Sequence, residues 1–190
     1  LGDVYKRQAF NIVGILCVPA LTRAIGKKLT FLSAMAVATV LSIIFYFLPK
    51  DMVVAILSMQ ILISFCAGIV SPLMWSMYAD IADYSEWKTG RRATGLIFSS
   101  SSMSQKLGWT IGGSLSGWLL FYFGFEANVV QTETALTGIC LMMSVLPACA
   151  TLFSVFFISG YPLNEKKISE ITKELEAVSY THLRAHETKA

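Results

Sequence analysis

Between Asp51 and Asp80 the chain runs for 28 residues, 52–79, without one charged side chain. In water such a run would have to be buried on every face. In a bilayer it has a simpler fate, because ~20 apolar residues in an α-helix cover the ~30 Å hydrocarbon core. Lipid offers no partner for backbone N–H and C=O groups, so the run must be helical. Similar windows follow at residues 29–48, 93–125 (interrupted only by Lys106) and 134–162. A shorter apolar stretch, 9–21, precedes them, with Pro19 near its end. Charged residues make up only 14% of the chain, against about 25% in soluble domains. The expected fold is an all-α membrane protein with about five transmembrane helices across residues 9–164. At 28 residues the 52–79 helix exceeds the core thickness, so it must tilt or project, and Pro72 can kink it.

Both ends break this pattern. Residues 1–8 (LGDVYKRQ) and 178–190 (VSYTHLRAHETKA) resemble translated sequencing-adapter sequence, and both are expected to be non-native and to carry no fold. Without them the formal charge falls from +3 to +1, with 11 Lys and Arg against 10 Asp and Glu, and both histidines, His182 and His186, are gone. The chain is then expected to begin within a longer protein, as a fragment. Residues 165–177 read as a charged amphipathic tail. Cys17, Cys66, Cys140 and Cys149 lie in apolar runs with no CxxC spacing, which suits small core residues rather than a disulfide frame or metal site.

Orientation follows from the placement of cations. If alternate loops share a side, one side holds Arg23, Lys27, Lys28, Lys88, Arg91, Arg92, Lys166, Lys167 and Lys173. The other holds only Lys50, beside Asp51, Glu126 and Glu133. The Asp80-x-x-Asp83-Tyr84 loop and the tail are therefore expected in the cytoplasm, in a multi-pass protein of the cell inner membrane.

Three groups of residues stand out as chemistry. Lys106 falls inside an apolar run, where a cation costs ~2.5–3.5 kcal/mol and marks a pathway or a partner. Ser99, Ser102, Trp109 and Gly113 share its helical face at spacings of three, four and seven. Gly108/Gly112 and Gly113/Gly117 repeat at the spacing that lets helices approach closely in lipid. Asp80, Asp83 and Tyr84 share one face near the negative end of a helix, where acids are disfavoured unless cations answer them; Arg91 and Arg92, or arginines from elsewhere, are the expected partners. The basic turn Arg23-Ala-Ile-Gly26-Lys27-Lys28 needs no explanation beyond topology. Trp75 and Trp109 lie deep enough either to stack on a sugar ring or to pack in the bundle, whereas Trp118 suits an interface.

The run Pro72-x-x-Trp75-x-x-Tyr78-x-Asp80-x-x-Asp83-Tyr84-x-Glu86-Trp87-Lys88-Thr89-Gly90-x-Arg92, with Lys106-x-Gly108-x-x-x-Gly112-Gly113 after it, resembles the glycoside–pentoside–hexuronide:cation symporters. These are the melibiose-carrier family of the major facilitator superfamily. The tail Tyr161-Pro162-Leu163-Asn164-x-Lys166 is similar to the family's C-terminal end. The resemblance covers residues 9–177 and implies helices 8–12 of an expected twelve, a partial major facilitator fold. It implies that the coupling cation (Na⁺, H⁺ or Li⁺) is bound mainly by the missing N-terminal half, with no cofactor and no metal site in this part. It places Lys106 at the family's sugar- and cation-linked lysine. Ser101 and Ser102 stand where the melibiose carrier has a Gln-Thr pair. Ser71 stands at the position of its helix-10 tryptophan, with Trp75 one turn later. Asp80, Asp83, Glu86 and Arg92 map onto a cytoplasmic ionic gate between the halves.

The reading is a cation-coupled symporter of a sugar or glycoside working by alternating access, not an enzyme. Its partners are a small-molecule sugar, the cation, the bilayer and the missing half, with no nucleic acid. Lys106, Ser102, Ser101, Trp75 and Trp109 are the candidate substrate residues. The rival within the superfamily is a lysolipid or other non-sugar cation symporter. A membrane-embedded enzyme would need paired His or carboxylates within the bilayer, and a membrane sensor would need a soluble output domain.

Overall fold

The computed structural model describes residues 2–49 and 52–187, with side chains at all of these except Asp3 and residues 178–187. The expectations for Leu1, Lys50, Asp51, residues 188–190 and the 178–187 side chains, the two histidines included, lie outside what is described. Among the described residues seven helices follow one another: α1 (Gly2–Ile25), α2 (Lys27–Tyr46), α3 (Val53–Thr89), α4 (Thr94–Tyr122), α5 (Glu133–Met143), α6 (Val145–Ser159) and α7 (Glu165–Glu187). No strand occurs among the described residues. Four helical stretches are long and apolar enough to cross a membrane: Val4–Ile25, Lys27–Tyr46, Val53–Thr89 and Glu133–Ser159. α4 has the length of a fifth span at 29 residues, but its serines, glycines and Lys106 keep it less apolar than those four stretches require.

Several boundaries differ from expectation. The backbone of residues 2–8 continues α1, which reaches 24 residues instead of stopping short of a span. The charged cluster is not a loop. α3 runs on through Asp80, Asp83 and Glu86 to Thr89, 37 residues or ~56 Å, because nothing from 80 to 89 breaks a helix. Gly90 ends it at φ 67°, the left-handed C-terminal position that glycine fills without strain, its N–H bonding the Glu86 carbonyl. Asp80 therefore lies more than two turns from the helix end, and the dipole argument weakens accordingly. The single helix expected over 134–162 is broken at Ser144. Pro147 has no N–H for the Met143 carbonyl, so the ladder cannot run through. The Ser144 hydroxyl, fully buried, bonds the Cys140 carbonyl at the break.

α1 packs along α3, α2 lies against α3 and α6, and Phe31, Ala34, Ile69, Leu73 and Met77 form the common core. The α1–α3 crossing is close because two glycines meet it: a Cβ on Gly14 would strike the Phe65 carbonyl, and one on Gly68 the Asn11 carbonyl. Asn11 Nδ2 donates to the Ser64 carbonyl at 3.0 Å beside it. Close approach was expected instead at Gly108, Gly112, Gly113 and Gly117, but nothing lies within 4 Å of a Cβ at any of these. α4 buries no residue, and Trp109 (77%), Phe121 (82%) and Ile111 (64%) are widely exposed.

Candidate functional site

Two regions hold the chemistry-bearing side chains. The first is the charged end of the bundle. Gly26, at φ 82°, turns the chain between α1 and α2 and sets Lys27 and Lys28 at the start of α2. The Lys27 ammonium donates to both Asp80 oxygens, at 2.8 and 2.9 Å. Asp80 is buried, and a buried carboxylate is tolerable only when paired in this way. The Lys27 backbone N–H donates to Glu165 Oε2 at 3.2 Å. Lys28 Nζ donates to the Ser159 and Tyr161 carbonyls, at 2.9 and 2.6 Å, where α6 ends. The basic turn thus ties α3, α6 and α7 together. It carries more than topology, which corrects the sequence reading, and Asp80 answers to Lys27 rather than to Arg91 or Arg92.

The other acids behave as expected of a surface cluster. Arg92 donates to Asp83 Oδ1 at 2.8 Å and approaches Glu86 Oε2 at 3.4 Å, with all three side chains partly open to solvent. α7 closes over this end: Trp87 Nε1 donates to Glu174 Oε2 at 2.6 Å, Lys88 and Lys167 lie over the Tyr84 ring at 5.8 and 6.0 Å, and Ile171 is buried. Tyr161, two residues past α6, has a buried hydroxyl with no hydrogen-bond partner among the described residues. Its burial, and then the Asp80 charge, push the phenol further above its ordinary range, so it stays neutral. The sequence reading gave Lys27 and Lys28 no role beyond topology and assigned no contact to Glu165 or Tyr161. The signal for the first two was a basic pair on the same side as acids that lacked a near cation.

The second region lies on α4. Ser99, Ser102, Lys106 and Thr110 line an open groove of about 420 Å³ with Met103 and Leu107. Trp109 does not share that groove. With Gln105 it faces a cleft of about 530 Å³ between α2, α3, α4 and α6, whose other polar members are Ser71, Trp75 and Thr151. Thr151 is fixed there by its hydroxyl contact with Thr39 at 2.7 Å. The Ser101 hydroxyl turns back to the Ile97 carbonyl at 2.7 Å. Trp75 stacks on Phe98 with centroids 5.9 Å apart and meets Tyr78 edge-on at 5.8 Å, so one face is already occupied. The structure brings Trp75 and Trp109 to one cleft and Ser102 and Lys106 to the groove beside it. Gln105 was not singled out from the sequence. Its position next to Lys106 and one turn before Trp109 was the available signal. Among the described residues no three His, Cys, Asp or Glu side chains gather as a metal site.

Comparison with known proteins fits this architecture. The family model described as MFS/sugar transport protein matches residues 8–165. A glucuronide carrier protein homolog of Escherichia coli is 34% identical over 171 residues, 87% of this chain and 37% of its own length. A putative glycoside/cation symporter, YagG, of the same organism is 30% identical over 87% of this chain and 36% of its own length. A putative 2,3-dihydroxypropane-1-sulfonate exporter, also of Escherichia coli, is 26% identical over 87% of this chain and 36% of its own length. The chain spans little more than a third of these relatives. Its apolar helices are those of a multi-pass membrane protein with a partial major facilitator fold, and the chain belongs to the MFS/sugar transport protein family.

Proposed function

We propose that this chain is the C-terminal part of a cation-coupled symporter that carries a sugar or glycoside across the cytoplasmic membrane by alternating access. The observation that carries the reading is the α4 face: a lysine deep in a helix that buries nothing, beside a cleft holding two indoles, an amide and two hydroxyls. A cation midway along a spanning helix is costly unless it serves a pathway. Indole rings beside hydrogen-bonding groups suit the apolar faces and hydroxyls of a sugar ring. Lys106, Ser102, Trp109 and Trp75 are the substrate residues in this reading, with Ser101 shaping the helix behind them. The coupling cation, Na⁺, H⁺ or Li⁺, would be held mainly outside this chain.

The charged end and α7 face the cytoplasm in this reading, as the distribution of Lys and Arg supports. Asp83 and Glu86, partly exposed and both paired to Arg92, would bridge to the other half when the carrier faces outward. Asp80 holds its own half together through Lys27. Binding of sugar and cation at the midplane would shift the balance between outward- and inward-open states. A non-sugar organic solute is the second reading, favoured by the relative named as a sulfonate exporter.

The test is uptake by the full-length carrier in proteoliposomes under an imposed Na⁺ or proton gradient. Accumulation of a labelled glycoside above equilibrium, lost when the gradient is collapsed, is the expected result. Uptake of no glycoside under either gradient would overturn the sugar assignment.

A further inference from the structure

A furrow of about 570 Å³ runs between α1, α2 and α3, apart from the hollows around α4. Cys17, Ala20 and Leu21 form its wall on α1, and α2 and α3 supply the rest. Its two hydroxyl-bearing members are already satisfied: Thr30 donates to the Gly26 carbonyl at 2.7 Å and Ser33 to the Thr30 carbonyl at 3.0 Å. With no hydroxyl left to orient a polar solute, the furrow is a surface for hydrocarbon.

Its length matches one leaflet. On α2 it runs from Thr30 to Leu41, ~16 Å at 1.5 Å per residue, which is about half of the ~30 Å hydrocarbon core. It starts one turn inside the charged end and is open on one side, where Val37 is 50% and Leu62 45% exposed. That side is turned away from α4. The furrow and the cleft of Gln105 and Trp109 have Cys66 in common, but their rows on α3 are centred roughly 130° apart. α4 buries nothing and carries Lys106, so the rest of the carrier is needed on its side, and the α1–α2 side is left to lipid.

The charged end supplies a place for a headgroup. Arg23, exposed in the last turn of α1 and three residues past Ala20, has no hydrogen bond or ion pair among the described residues. Lys27 is committed to Asp80, and Lys28 to the Ser159 and Tyr161 carbonyls. Arg23, Lys27 and Lys28 stand against Asp80 and Glu165 around this turn, an excess of positive charge. A guanidinium pairs with phosphate through two parallel N–H donors.

We propose that the furrow between α1 and α2 is a binding site for an anionic phospholipid of the leaflet at the charged end. One acyl chain lies in the furrow, the phosphate meets Arg23, and the second chain stays in the bilayer. The site is separate from the solute pathway on α4.

The experiment is native mass spectrometry of the full-length carrier, titrated with palmitoyl-oleoyl phosphatidylglycerol or phosphatidylethanolamine, with a Kd for the first bound copy of each. The wild type should hold phosphatidylglycerol about five-fold more tightly than phosphatidylethanolamine. Arg23→Gln should bring the two lipids close to parity. Arg91→Gln removes the same charge at the same end but outside the furrow, and should leave the preference in place. Ala20→Phe and, from the α2 wall, Val37→Phe fill the furrow from exposed positions and should remove the tight copy of both lipids. Equal or tighter binding of phosphatidylethanolamine by the wild type would overturn the proposal. So would the same loss of preference in Arg91→Gln as in Arg23→Gln, or a tight copy that survives both furrow-filling variants. A wild type that is folded by thermal unfolding and holds neither lipid would overturn it as well, with the furrow then covered by another part of the carrier.

Discussion

The Lys27 ammonium holds both oxygens of Asp80, across 53 residues of sequence, at 2.8 and 2.9 Å. Asp80 is only 8% exposed and Lys27 24%, so the pair is largely withdrawn from water. Removing one partner should cost more than a surface ion pair does, since it strands the other. Lys27→Met should destabilise the protein by about 1–3 kcal/mol, and Asp80→Asn by less, because an amide needs no counter-charge. Thermal unfolding in detergent reads both, and the double variant should fall short of the sum. Equal, additive losses would show that the two side chains do not act as a pair.

Asp83, Glu86 and Arg92 should behave differently. They are partly exposed, so each pair contributes ~0–1 kcal/mol and Asp83→Asn should leave thermal stability nearly unchanged. If they bridge the halves of the full-length carrier, Asp83→Asn should still lower alkylation of single cysteines on the proposed periplasmic side, by up to about five-fold. Arg92→Gln should act similarly, with the double variant less than additive. Unchanged labelling in both single variants would reduce the cluster to a solvated helix end.

The α1–α3 crossing makes a packing prediction. Gly68→Ala places a methyl against the Asn11 carbonyl and Gly14→Ala one against the Phe65 carbonyl, and backbone cannot yield as a side chain can. Each should cost about 1–3 kcal/mol. Gly112→Ala meets open space in this chain and should be neutral or slightly stabilising, through better helix propensity. A Gly112→Ala loss as large as that of Gly68→Ala, in the 190-residue chain, would contradict the packing described.

Lys106→Ala in the full-length carrier should abolish uphill accumulation of substrate while leaving membrane insertion intact. Quantitative blotting of membranes and uptake under an imposed gradient check the two halves of that statement. Wild-type accumulation would remove Lys106 from the pathway.

Deleting residues 1–8 and 178–190 should leave thermal stability in detergent unchanged. The first segment continues α1, and Arg7 Nε donates to Ser64 Oγ of α3 at 3.5 Å. Such a contact, at the limit of hydrogen-bond distance, contributes little. A clear fall in the unfolding temperature would show that the ends belong to the fold.

Hydropathy alone determined the helical class, the approximate spans and the isolation of Lys106, because the cost of a charge or an unpaired backbone group in lipid depends only on local sequence. The motif around Asp80 and Lys106 was enough to indicate the family that the comparisons then supplied. Partners were another matter. Sequence offered Arg92 to every acid nearby, yet Asp80 took Lys27, because the packing of α2 against α3 brings residues 27 and 80 together. The glycine pairs of α4 had the right spacing for close contact, but the close crossing is at Gly14 and Gly68, where helices of this chain meet. Lys106 and Trp109 are three residues apart and were assigned one face. The neighbours of α4 decided otherwise: α3 and α6 form a cleft with Gln105 and Trp109, and Lys106 lines a separate open groove. A helical period gives the angle between side chains; only the packed neighbours decide which cavity each angle enters.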